Sequence, residues 1–301
     1  MTPLLQLIRT PGTEQRGVQV LLWRDDLLNP LLPGNKARKL KYNLLAAKAQ
    51  GQYTLLTFGG AYSNHLAAVA AAGRQQGFQT IGLVRGEKTL PLNPTLRQCA
   101  ADGMRLHYLD RQRYRQLAKT GFLGEESELT AEFGPAYVLP EGGTNALALR
   151  GMAELVAEIR AQTAFDALAV PVGTGGTLAG VLLGLAGTGR ALGVAALKGA
   201  AGLAAEIDRL TQEAAGATYR NYEVLTGYHF GGYARYSAPL LAFIREFEAT
   251  HGVLLDPIYT GKLLFGVLDL VQQGYFPAGS TVVAVHTGGL QAWAGWNERF
   301  R

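Results

Sequence analysis

The stretch PGNKARKLKYN, residues 33 to 43, sets Lys36, Arg38, Lys39 and Lys41 on a segment that also opens a helical pattern. Asn35 is a good N-cap residue, and Ala37, Leu40, Leu44 and Ala47 recur behind it at helical spacing. Lys36 then falls in the first turn, where free amides and the helix dipole disfavour a cation, and Lys39 stands three residues on with the same charge. Both effects lower the Lys36 pKa. A lysine that gives up its proton readily condenses with an aldehyde, so Lys36 is a candidate Schiff-base residue; the alternative is a solvated basic face.

Two glycine-bearing turns can receive an anion. After the strand-like ALAVPV comes GTGGT (Gly173, Thr174, Gly175, Gly176, Thr177) and then the apolar LAGVLLGL. Converging amides followed by a helix terminus make a phosphate cradle, or else a glycine turn with no ligand. It is not a P-loop, because GxxxxGK[ST] is absent, and the dinucleotide pattern fails at Leu178.

The second turn, FGGAYSNHLAAVAAAG, carries Ser63, Asn64 and His65 at the start of an alanine-rich helix. Ser63 and Asn64 either cap that helix or hold a carboxylate or phenolate oxygen, and His65 is an acid, a base or a hydrogen-bonding neighbour. Further on, LLDPIYTGK offers Tyr259 and Thr260, and VVAVHTGG ends a buried-looking strand at Thr287.

The elements that must hold these groups alternate. Apolar runs at 18 to 23, 53 to 59, 80 to 86, 105 to 109, 167 to 173 and 281 to 289 read as strands; 36 to 50, 64 to 77, 147 to 161 and 177 to 186 read as helices. That order predicts α/β layers with mostly parallel strands, whose ligands gather at the strands' carboxyl ends. Residues 110 to 135 are the most polar and least patterned, a mobile segment or a partly exposed helix.

Composition narrows the class. The 301 residues are 48% hydrophobic and 17% charged with 39 glycines, which suits one large or two medium globular domains. A single cysteine, Cys99, excludes an internal disulfide and suits a reducing compartment, and no CxxC or HExxH spacing indicates zinc. The net charge of +5 and pI of about 9.3 would permit an acidic partner, but the basic residues are spread among acidic ones with no aromatic-basic recognition motif, so no nucleic acid is expected. The first 15 residues lack the pattern of a secretory signal. Residues 168 to 189 carry no charge, yet Pro171 and several glycines suit strand, loop and helix better than a membrane span. The expected location is cytoplasmic.

Taken together, LLWRDDLL, GNKARKL, GGAYSNH, PEGGTNALALRG, GTGGTLAG, LDPIYTGK and VHTGG, in that order along nearly the whole chain, resemble the D-cysteine desulfhydrase and 1-aminocyclopropane-1-carboxylate deaminase family. That family lies within the tryptophan-synthase-β-like, fold type II pyridoxal-phosphate enzymes. The resemblance implies pyridoxal 5'-phosphate as cofactor and two open, twisted, mostly parallel sheets flanked by helices. It implies a larger domain from residues 1–47 and 146–301, a smaller one inserted at 48–145, a site in the cleft between them, and a homodimer.

By the same resemblance Lys36 binds the cofactor aldehyde, with Lys39 as its basic companion. Asn64 bonds the phenolic oxygen, and Ser63 and His65 stand near the carboxylate and amine of a small amino-acid substrate. Gly173 to Thr177 hold the phosphate, Thr287 faces the pyridine nitrogen, and Tyr259 faces the substrate. A second pocket tyrosine matches Tyr233 better than Tyr236.

Ring-opening deaminases carry YEGK and Ser-Asn-Gln where this chain has YTGK and SNH, which favours elimination from D-cysteine over the deaminase alternative. A non-catalytic carrier of the cofactor would not need the hydroxyls of Ser63 and Tyr259. Pro33 in place of the usual glycine, the wording FGGYARYSAPL and the stretch 110 to 135 depart from the family pattern.

Overall fold

The computed structural model describes residues 4–29, 32, 34–119, 126–291 and 293. Pro33 lies outside them. The chain divides into two compact units, Met1–Asn35 with Leu149–Leu290, and Lys36–Ala148 with Gln291–Arg301. The helix Asn35–Ala49 from Lys36 onward therefore goes with the smaller unit, whereas the expected insert began near its end, at residue 48.

The larger unit holds strands β1 (Leu5–Ile8) and β2 (Gln19–Trp23). The smaller holds β3 (Thr54–Gly60), β4 (Gln79–Arg85), β5 (Met104–Leu109) and β6 (Tyr137–Leu139). Then β7 (Ala167–Val172), β8 (Arg190–Ala195), β9 (Tyr222–Leu225) and β10 (Thr281–Val285) complete the larger.

The larger sheet runs β1-β2-β10-β7-β8-β9, parallel except for the edge strand β1. Every residue of β7 is buried, which is why its sequence is an unbroken apolar run rather than an alternation: helices cover both faces of a parallel sheet. Its core joins Leu168, Val170 and Val172 to Leu178 and Leu182 of the helix Gly176–Leu185 and to Met152 and Leu155 of the helix Ala146–Arg160.

The smaller sheet runs β5-β4-β3-β6, all parallel. Leu56, Phe58, Ile81 and Leu83 centre its core, each such side chain contributing roughly 2 kcal/mol by burial. The weakly patterned stretch forms helices Arg111–Lys119 and Glu126–Phe133, with 120–125 outside the described residues. Tyr114 and Leu117, one turn apart, and Leu129 fill that core.

The uncharged run after Leu168 is β7 plus a helix of 10 residues, and no helix among the described residues is long and apolar enough to cross a membrane.

Candidate functional site

The glycine cradle of the larger unit lies where β7 ends and the Gly176–Leu185 helix begins. Gly175 has φ +86° and a Cβ there would stand 3.3 Å from Ile207, so the turn is both left-handed and closely packed. No side chain caps this helix, which leaves its first amides and the positive end of its dipole for an anion. Tyr259 borders the cradle: a Cβ on Gly173 would lie 3.3 Å from its hydroxyl. The Tyr259 ring in turn meets Tyr233 edge to face, with centroids 6.3 Å apart.

Asn35 ties this unit together. Its Nδ2 donates to Thr177 Oγ1 at 2.9 Å and its backbone N–H to the Thr287 carbonyl at 3.3 Å. Gly34, at φ +70°, makes that approach possible, since a Cβ would fall 2.0 Å from the Thr287 oxygen. The turn after β10 is itself set by His286, whose Nε2 meets the Leu254 carbonyl at 2.9 Å and whose Nδ1 lies 3.3 Å from the Gly288 nitrogen and 3.4 Å from Asp26 Oδ1. Asn35 was expected to be a helix cap. It is the first helical residue, and the amide that bonds Thr177 immediately precedes Lys36 in the chain.

In the smaller unit Lys36 and Lys39 both donate to one carbonyl, that of Gly142, at 3.1 and 3.3 Å; Lys39 also reaches Thr144 Oγ1. Among the described residues neither has a carboxylate at ion-pair distance. Burial draws the Lys36 amine down to about 8. Burial, then the charge of Lys36, holds Lys39 well below the ordinary lysine range. Desolvation thus does the work expected of the helix dipole and the neighbouring charge.

Ser63 caps the helix Asn64–Gln76, its Oγ accepting from the His65 and Leu66 amides, which leaves its own O–H to donate elsewhere. Asn64 Oδ1 is buried without a hydrogen-bond partner among the described residues. His65 is buried and held neutral by desolvation and by Lys36 and Lys39. Its tautomer follows from its partner: the Thr57 hydroxyl donates to the Leu139 carbonyl, so His65 Nε2 carries the proton and donates to Thr57 Oγ1 at 2.9 Å. Nδ1 is then a bare acceptor, buried and unpartnered among the described residues. An acceptor suits an amine and repels a carboxylate.

Two positioning residues lie inside quoted stretches but were given no role from the sequence. Asn43, fully buried, donates to the Lys39 carbonyl and Asn145 Oδ1 and accepts from Tyr137 and Asn145, tying the lysine helix to the EGGTN turn. Asp256 accepts from the amides of Ile258, Tyr259 and Thr260 and from the Thr260 hydroxyl, and thereby shapes the turn that presents Tyr259. Thr260, read above as a substrate signature, is fully buried and spends its hydroxyl on Asp256. The DPIYT pattern is the one sequence trace of this turn.

Residues 1–288 match the family described as pyridoxal-phosphate dependent enzyme. The chain is 34% identical over 284 residues to a putative 1-aminocyclopropane-1-carboxylate deaminase of Pyrococcus horikoshii, covering 91% of this chain and 85% of that protein. It is 30% identical over 310 residues to a D-cysteine desulfhydrase of Yersinia enterocolitica, covering 97% and 92%. A crystal structure of an ACC deaminase homologue superposes with a TM-score of 0.86 at 30% identity, over 98% of this chain and 91% of that one.

Proposed function

Since the chain belongs to the pyridoxal-phosphate dependent enzyme family, we infer that it is a lyase that takes D-cysteine, or a similar small amino acid, and water to pyruvate, sulfide and ammonia. The observation that carries this reading is Lys36: its amine is brought to about 8 by burial, and the residue before it is hydrogen-bonded to the last threonine of the glycine cradle.

The residues fit pyridoxal phosphate on three counts. An uncapped helix start with a left-handed glycine suits the phosphate. A lysine neutral at mildly alkaline pH suits the aldehyde. The buried, unpartnered amide oxygen of Asn64 marks a side chain built to meet a polar group other than protein.

When bound, the cofactor supplies an aldehyde for the substrate amine and an electron-withdrawing ring that acidifies the Cα–H. The chain does the rest. Gly173 to Thr177 hold the phosphate, Asn64 the phenolic oxygen, and Thr287 the pyridine nitrogen. Ser63 donates its free O–H to the substrate carboxylate, while the bare Nδ1 of His65 accepts from the amine. Lys36, released as a neutral amine, takes the α proton, with Lys39 keeping it from staying protonated. The hydroxyls of Tyr259 and Tyr233 face the β-substituent and help the thiolate depart by giving it a proton. Two domains with the smaller one inserted, a cytoplasmic location and a homodimer belong to the same reading.

Ring opening of 1-aminocyclopropane-1-carboxylate is the second reading, favoured by the name of the Pyrococcus relative. Thr260 argues against it in this chain: a glutamate in its place would lose both hydrogen bonds to Asp256 and set a second carboxylate beside it. Pyruvate and sulfide assayed with D-cysteine, L-cysteine and the cyclopropane acid side by side test the reading. Sulfide from D-cysteine is expected, and 2-oxobutyrate from the cyclopropane acid alone would replace it with the second reading.

A further inference from the structure

Lys262 is a buried cation that the chemistry above leaves unused. It lies in the first turn of the helix Thr260–Gln272, where a positive charge is disfavoured, and it is fully buried. Its Nζ donates to three carbonyls: Ala196 at 3.2 Å, just past β8, and His229 and Gly232 at 2.8 Å each. Three carbonyl acceptors use all three N–H bonds of an ammonium.

The loop it grips is conformationally unusual. Phe230 and Ala234 are non-glycine residues at φ +49° and +52°, and Gly231 and Gly232 between them lie at +93° and +118°. Such a run persists only where its surroundings over-determine it. The first half is fixed by the Tyr228 hydroxyl on Asp269 and by Phe230 edge to face with Phe265. Lys262 reaches beyond that point, to Gly232, the residue before Tyr233. Asp256, six residues earlier, fixes Tyr259 through its backbone amide. One short segment thus sets both members of the Tyr233–Tyr259 pair.

We infer that Lys262 is a positioning residue for substrate recognition: by gathering the carbonyls of Ala196, His229 and Gly232 it holds the 229–236 loop so that Tyr233 stands against Tyr259. The role in recognition rests on the function proposed above; the hold on the loop does not.

The test uses the cofactor-loaded enzyme and four variants: K262M, G232A, Y233A and the double K262M/Y233A. Hydrogen exchange in K262M should rise at least about tenfold across 229–236 with β7 and β10 unchanged, and the near-visible cofactor band should remain. kcat/KM for D-cysteine should fall about tenfold, because Tyr233 both meets the substrate and helps the leaving thiolate. In the Y233A background the K262M change should add less than about twofold, because the two act through one contact.

G232A leaves Lys262 in place but forces a Cβ at φ +118°, 3.3 Å from Lys198 Cβ, and should give the same fall in kcat/KM if K262M does not fold. Unchanged exchange across 229–236 in K262M, or in G232A should K262M not fold, or a K262M effect that multiplies fully with that of Y233A, would overturn the inference. Should the unmodified enzyme not turn over D-cysteine, the substrate reading falls alone, and the exchange pattern together with the shift of the cofactor band on adding small amino acids decides the role of Lys262.

Discussion

Two lysine sites, each away from bulk solvent, are built on opposite terms. Lys262 has one charge and three carbonyl acceptors, so its bonding capacity is filled by the protein. Lys36 and Lys39 have two amines and share one carbonyl, with one further hydroxyl for Lys39. Burial draws both Lys36 and Lys262 to about 8, yet only Lys262 also has a carboxylate, Asp256, opposing that pull. A lowered pKa therefore does not by itself mark a reactive lysine. Unfilled bonding capacity does: on the function proposed above the Lys36 site takes the ligand, and the Lys262 site is scaffold.

The largest effect expected from this contrast falls on chemistry. K36A should lower turnover by about 10³-fold or more while circular dichroism is unchanged and the unfolding midpoint does not fall, since removing a first-turn amine with one shared acceptor also removes the cost of its desolvated charge. Loss of fold in K36A would erase the distinction between the sites.

The scaffold side should respond in the other way. D256A strands the amides of Ile258, Tyr259 and Thr260 in a largely buried turn and should cost about 3 kcal/mol in chemical denaturation, with turnover reduced only as far as Tyr259 is displaced. An unaltered denaturation midpoint would show that this turn is held by something else.

G175A probes the cradle between these extremes. Its φ of +86° and the 3.3 Å approach to Ile207 predict about 1 kcal/mol of strain and roughly tenfold weaker cofactor affinity by titration of the near-visible band. Equal affinity would remove the cradle from the phosphate site.

The smallest effect is in pH. In the folded apoprotein Lys36 titrates near 8, below its unfolded value of 10.5, so the unfolded chain binds more protons between those values. The cost of its buried charge is complete below about pH 8 and is relieved as pH rises to 10.5. The stability of the unmodified protein relative to K36M should accordingly increase over that window, and a flat difference would mean that the Lys36 amine is not desolvated.

The contrast also explains what could be read from residues alone. The strands and helices around the motifs were legible because long apolar runs and regular spacing respond to local rules: 64 to 77 became Asn64–Gln76, and 167 to 173 became Ala167–Val172. So was the glycine turn between β7 and its helix, because glycines between an apolar strand and an apolar helix mark such a turn. The strands β1, β6, β8 and β9 escaped notice; three of them have only three or four residues each, and all are defined by their neighbours in the sheet.

The bonding state of the lysines was equally hidden. Lys262 and Lys36 differ through carbonyls of Ala196, His229, Gly232 and Gly142, and a carbonyl is the same in every residue. The tautomer of His65 depends on Thr57 and Leu139, which are 8 and 82 positions from their partners. Long-range backbone contacts leave no composition or spacing to read.

The most direct measurement is borohydride reduction of the cofactor-loaded protein followed by peptide mass mapping of Lys36, Lys39 and Lys262. The account predicts the pyridoxyl group on Lys36 alone. A label on Lys262 or Lys39, or a reducible cofactor that survives K36A, would contradict it.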